Sequence, residues 1–113
     1  MKNFTRREFA CKCGCGFDTV DYSLIAVLDI VREHFGVPVT VTSGARCLAH
    51  NESVGGVSTS QHTKGRAADI VVRGVDPAVV AGYVKGRFPS ASIGTYDTFT
   101  HIDTRSNGPV YWG

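Results

Sequence analysis

An α+β fold with a small antiparallel sheet is what this sequence predicts, on three observations. Two capped amphipathic runs, one after Asp21 and one after Asp76, have helical spacing. Short β-branched or alternating runs lie between and after them, and the C-terminal third packs its strands with only turn-length gaps. No linker, repeat or low-complexity segment interrupts the 113 residues, so the expectation is a single domain over 1–113, long enough to bury a core without disulfides.

Each element has a local reason. Asp21 caps a helix whose apolar positions Leu24, Ile25, Val27, Leu28, Val31 and Phe35 make one broad face, and Gly36 and Pro38 end it. Val39-Thr40-Val41-Thr42 is a short strand delivering a Ser43-Gly44 turn. The Gly, Ser and Thr content of Asn51 to Thr63 predicts a loop bordering any site. A turn at Lys64-Gly65 leads into the strand Ala68-Asp69-Ile70-Val71-Val72. Asp76 caps a second helix with Pro77 in its first turn, running to about Phe88. Ser92 to Tyr96, Phe99 to Asp103 and Val110 to Trp112 are then read as an antiparallel meander.

Composition excludes several function classes. A hydrophobic fraction of 42% with 19% charged residues fits an ordinary soluble globular protein rather than a disordered or membrane chain. A net charge of +2 gives only slight attraction to anionic surfaces, and without a basic stripe or stacking aromatics no nucleic-acid partner is expected. No run reaches membrane-spanning length, and Met1 to Glu8 has no apolar signal core, so a cytoplasmic origin and no membrane partner are expected.

The chemistry concentrates in Ser60 to Asp69 and in Thr100-His101-Ile102-Asp103. His62, Asp69 and His101 supply two imidazoles and a carboxylate, the ligand set of a zinc site that keeps a fourth position for water. His62 and Asp69 are seven apart with Gly65 between, so His62 belongs on a loop or strand end and Asp69 on the next strand. Alternation puts Phe99, His101 and Asp103 on one strand face, so two neighbouring strands and a turn converge on one ion. The zinc cleft is expected on the sheet face opposite the two helices, or at its edge. An acid followed by Ile-Val-Val is costly to bury unless paired or metal-bound.

Ser60, His62, Gly65, Ala67 and Asp69 fit the S-x-H-x-x-G-x-A-x-D signature of the zinc D-alanyl-D-alanine carboxypeptidases and dipeptidases, and His101-Ile102-Asp103 resembles their second histidine motif. Ser43-Gly44-Ala45-Arg46 is similar to their S-G-x-R element, and His50-Asn51 with Gly55-Gly56 extends the likeness. It runs from about Phe4 to Gly113 and is strongest toward short single-domain bacteriophage and bacterial members. The resemblance implies a zinc metallopeptidase acting on peptidoglycan stem peptides, at D-Ala-D-Ala ends or at endopeptidase bonds. Delivery to the wall would follow export, lysis or packaging in a phage particle, and a monomer is expected.

The resemblance also implies roles. Arg46 would hold a substrate carboxylate or the developing oxyanion with its guanidinium fork. Many relatives carry an acid three residues before the second histidine, where this chain has Thr98. Asp97 shares strand parity with His101 if the segment is extended and is the expected general base, with Asp103 as the alternative. Asp103 also suits a role orienting His101 from outside the metal shell, and Ser60 is expected to bond backbone or ligand rather than act as a nucleophile. The competing reading is a non-catalytic zinc-containing wall-binding or structural module.

Cys11, Cys13 and Cys15 alternate, and Cys47 follows Arg46 directly. A bridge between residues two apart is strained, so Cys47 is the preferred disulfide partner of a cluster member. Four thiols also offer a structural zinc site, and without a secretion signal free thiols are the default. Trp112 and Tyr111 are read as sealing the core or the cleft edge, Tyr96 as doing either, His34 as a residue suited to a helix C-terminus, and His50 as a candidate for the cleft lining.

Overall fold

The computed structural model describes residues 3–56 and 60–113. Helix α1 spans Tyr22–Phe35. The Asp21 carboxylate accepts from the Ser23 N–H at its start, and Gly36 closes it in the left-handed region. Leu24, Leu28 and Val31 on its apolar face are fully buried, each contributing about 1.5–3 kcal/mol of hydrophobic stabilisation. Helix α3 spans Pro77–Arg87 and is capped in the same way by Asp76, which accepts from Ala78 N–H. His34 stacks on Tyr83 at 3.7 Å between ring centroids, so it joins α1 to α3.

Strands β1 (Val39–Ser43), β2 (Ala67–Val72), β3 (Ser92–Thr95), β4 (Thr100–Asp103) and β5 (Tyr111–Trp112) form one sheet in the order β1-β2-β4-β3-β5. Ala68, Ile70, Val72, Ile93 and Ile102 point into the core with Leu24, Leu28, Val31, Val80 and Val84 of the helices. Strand alternation therefore turns Asp69, His101 and Asp103 to the face away from α1 and α3. The result is the α+β arrangement expected from the sequence. Among the described residues, no helix is long and apolar enough to cross a membrane.

Two expectations are corrected. The C-terminal strands are not a simple antiparallel meander, because β5 pairs parallel with β3, matching Ile93 to Tyr111 and Gly94 to Trp112. β4 already has β2 and β3 on its two sides, and the chain leaving Asp103 crosses to the edge of β3. The segment Asn51 to Thr63 is not all loop. It begins inside helix α2 (Leu48–Ser53) and ends in a 3-10 turn, Gln61–Lys64. Residues 57–59 of that expected loop lie outside the described residues.

The N-terminal segment packs beneath the loop that follows β1. Ala45 N–H donates to the Phe9 carbonyl at 2.7 Å, and Phe9 is wholly buried. All four cysteines are free thiols, so the disulfide with Cys47 is not formed.

Candidate metal centre

Asp69 of β2 and His101 of β4 stand directly opposite each other in the strand register. The 3-10 turn brings His62 to the same point, and Ser60 caps that turn by accepting the His62 N–H at 3.2 Å. Ligand atoms of His62, Asp69 and His101 all lie within 4.8 Å of one another, and all three residues are buried. His62 Nε2 is 3.3 Å and His101 Nδ1 is 2.9 Å from Asp69 Oδ1. A tetrahedral zinc with nitrogen ligands at about 2.0–2.1 Å sets neighbouring donors about 3.3 Å apart, so this spacing suits the ion.

Each imidazole has one nitrogen committed elsewhere. His62 Nδ1 lies 2.7 Å from the Gly44 carbonyl, which can only accept, so Nδ1 carries the proton and Nε2 presents its lone pair. His101 Nε2 lies 2.8 Å from Asp103 Oδ2 and donates to it, leaving Nδ1 to face Asp69. Arg105 holds Asp103 from the other side, with Nε 2.8 Å from Oδ1 and Nη2 2.6 Å from Oδ2. The sheet thus carries a chain of contacts from Arg105 through Asp103 to His101.

The electrostatics follow from these contacts. Burial opposes ionisation of Asp69, but its hydrogen bonds to His101 and His62 outweigh burial and hold the carboxyl well below the usual carboxylate range. Burial also opposes ionisation of Asp103, and Arg105 with His101 overcomes it in the same direction. His101 is disfavoured as a cation by burial, yet Asp103 and Asp69 raise its pKa above the ordinary histidine value. Two ionised carboxylates therefore flank this imidazole.

Arg46 stands beside the triad. The β1–β2 register shifts between Val41 and Ser43, a bulge that delivers Ser43 opposite Asp69 and starts the Gly44 turn. Arg46 Nε donates to Ser43 Oγ at 3.0 Å and Nη1 to Asn51 Oδ1 at 3.2 Å, while Nη2 reaches Asp69 Oδ2 at 3.5 Å. Its own amide donates to the His62 carbonyl at 3.0 Å, so one residue braces both the acid and the turn.

The triad forms part of the wall of a cleft of about 460 Å³, shared with Arg46, Ser60, Tyr96, Phe99, Arg105 and Trp112. Trp112 sits 5.0 Å from the His101 ring between centroids and donates its Nε1–H to Tyr96 Oη at 2.9 Å. Its ring lies over Gly94, where an added Cβ would come within 2.5 Å of it. Tyr111, by contrast, is exposed beside Lys85, and His50 is not among the cleft-lining residues.

Asp97 is not on an extended strand. The β3–β4 hairpin closes at Thr95 and Thr100, and Tyr96 N–H donates to the Phe99 carbonyl, so residues 96–99 form the turn and strand parity with His101 does not apply. Asp97 is exposed there, between the cleft-lining Tyr96 and Phe99.

The model for the family described as Peptidase M15 matches residues 2–103, nearly the whole chain and all three members of the triad. The chain belongs to the peptidase M15 family. No curated protein matches it in sequence. M15 peptidases are zinc enzymes, and the donor set and spacing of His62, Asp69 and His101 fit that ion.

Sequence reasoning missed Arg105, whose position two residues after Asp103 was the available signal, and it missed the bracing of Arg46 by Asn51. Both depend on side-chain contacts that spacing alone does not encode.

Proposed function

We propose that this M15 peptidase is a zinc metallopeptidase hydrolysing peptide bonds in peptidoglycan stem peptides, as a D-Ala-D-Ala carboxypeptidase or a related murein endopeptidase. The observation that carries the reading is the convergence of His62, Asp69 and His101 in an open cleft, each histidine oriented by a partner outside the triad. When bound there, zinc would lower the pKa of a water and polarise the scissile carbonyl.

The protein's own residues do the rest. Asp103 and the Gly44 carbonyl hold the two imidazoles with their lone pairs inward. Arg46 binds the substrate's carboxylate or the oxyanion, from a position already fixed by Ser43 and Asn51. Trp112 and Phe99 supply apolar walls to the cleft. Ser60 caps the turn and is not assigned a nucleophilic role.

Asp97 is the proposed proton acceptor, on the exposed hairpin turn between the cleft-lining Tyr96 and Phe99. Asp103 is the alternative, but its oxygens are already committed to His101 and Arg105. The protein is proposed to work as a monomer and to meet the wall after export, lysis or within a phage particle. One observation favours the competing reading of a non-catalytic wall-binding module: among the described residues, Asp69 is the sole carboxylate lining the cleft.

Digestion of pentapeptide muropeptides with added zinc, followed by mass spectrometry, tests both readings. The peptidase reading expects cleavage by the wild type, loss of cleavage with zinc retained at the His62, Asp69 and His101 centre in Asp97→Ala, and loss of cleavage together with the zinc of that centre in His101→Ala. Stoichiometric zinc with no cleavage of any muropeptide would establish the module instead.

A further inference from the structure

Away from the cleft, four sulfurs meet where the N-terminal segment crosses the start of α2. Cys11 Sγ lies 3.4 Å from Cys13 Sγ and 3.8 Å from Cys47 Sγ, and Cys13 Sγ lies 3.6 Å from Cys47 Sγ. Cys15 completes the group, with all four sulfurs within 4.8 Å of one another. A zinc ion with four thiolates at about 2.3 Å spaces its sulfurs about 3.8 Å apart, whereas a disulfide requires about 2.05 Å and joins only two. We propose that Cys11, Cys13, Cys15 and Cys47 bind a second, structural zinc ion as a tetrathiolate site, separate from the His62, Asp69 and His101 centre.

The backbone is arranged for it. Gly14 and Gly16 take φ of 84° and 89°, a left-handed conformation that side-chain-bearing residues rarely adopt. These residues fold the alternating cysteines into one turn, closed by Gly14 N–H to the Cys11 carbonyl at 3.2 Å and Cys11 N–H to the Phe17 carbonyl at 2.7 Å. Backbone N–H groups also point at sulfur: Cys47 N–H donates to Cys11 Sγ at 3.5 Å and His50 N–H to Cys47 Sγ at 3.4 Å. Such donors favour thiolate, the form that binds metal. On binding, each coordinating thiol gives its proton to solvent.

The site would act on the cleft through position alone. Cys47 follows Arg46, and the neighbouring Ala45 already bonds the Phe9 carbonyl. An ion joining Cys11 to Cys47 clips segments 36 residues apart and fixes the loop whose Gly44 carbonyl orients His62.

Metal analysis of the full chain tests this, using protein purified under reducing conditions without chelator. The wild type is expected to hold about two zinc ions per chain, and a His62→Ala/His101→Ala variant about one. Cys13→Ser/Cys15→Ser, which changes the two exposed cysteines, should remove one ion from either background. Cobalt substitution of the histidine variant gives a readout independent of how the cysteine variant folds, through thiolate-to-cobalt charge-transfer absorption. A histidine variant without metal whose four thiols react freely would overturn the proposal. So would iron in place of zinc, or an intact mass showing disulfides.

Discussion

Asp103 Oδ2 lies 2.8 Å from His101 Nε2, and Arg105 grips the same carboxylate with two hydrogen bonds. This contact decides which nitrogen of His101 faces the metal position. Asp103→Asn keeps the shape but removes the charge that favours a donating Nε2–H. We expect zinc affinity to fall by about 10–100-fold with the fold retained. Competition titration against a chromophoric chelator measures it, and unchanged affinity would refute the orienting role.

The shifted groups give a pH dependence with two signs. Asp69 and Asp103 are depressed in the folded state, so their stabilisation is present above the ordinary carboxylate pKa of about 3.9 and is lost as pH falls through their folded values. His101 is raised, so its contribution is complete below the ordinary value of about 6.5 and is lost as pH rises through its folded value. Metal-free protein should therefore melt highest between about pH 4 and 6.5. Zinc needs His101 neutral, so saturating zinc should move the maximum to higher pH. Thermal melts with chelator and with zinc test this, and identical profiles would contradict it.

Arg46 uses a planar fork to reach Ser43, Asn51 and Asp69 together. A lysine cannot reproduce three directed contacts, so Arg46→Lys should behave much like Arg46→Ala. Both should lower kcat by about 10²–10³ while zinc remains bound. Steady-state kinetics on a muropeptide beside metal analysis would show it, and near-normal turnover in the lysine variant would exclude a fork-dependent role.

Trp112 is the only tryptophan, which makes its packing over Gly94 directly observable. The Cβ of Gly94→Ala would meet the indole at 2.5 Å, so the ring must shift away from His101. The expected result is a red-shifted tryptophan emission and a loss of about 1–3 kcal/mol in stability. A wild-type emission spectrum with unchanged denaturant midpoint would show that the ring is not seated there.

Much of this was legible in the sequence because local signals agreed with the final packing. Asp21 and Asp76 mark both long helices, and the alternation in Phe99 to Asp103 sets which residues face away from the core. The convergence of His62, Asp69 and His101 was readable from spacing joined to motif. The edge strand was not, because the crossover that pairs β5 parallel with β3 is a tertiary contact that local alternation does not encode. Helix α2 was hidden because the Gly and Ser content after Ser53 dominated the reading of a six-residue element. Asp97 was misplaced on an extended segment because the hairpin turn begins at Tyr96.

The central claim is metal-dependent peptide hydrolysis at the His62, Asp69 and His101 centre. Its most direct test is the rate of muropeptide cleavage followed through chelation and stepwise return of zinc. Cleavage should stop on chelation, return in proportion to zinc bound at this centre, and be absent from His62→Ala at every zinc level. Cleavage that continues unchanged after the metal is removed, or that His62→Ala retains, would contradict it.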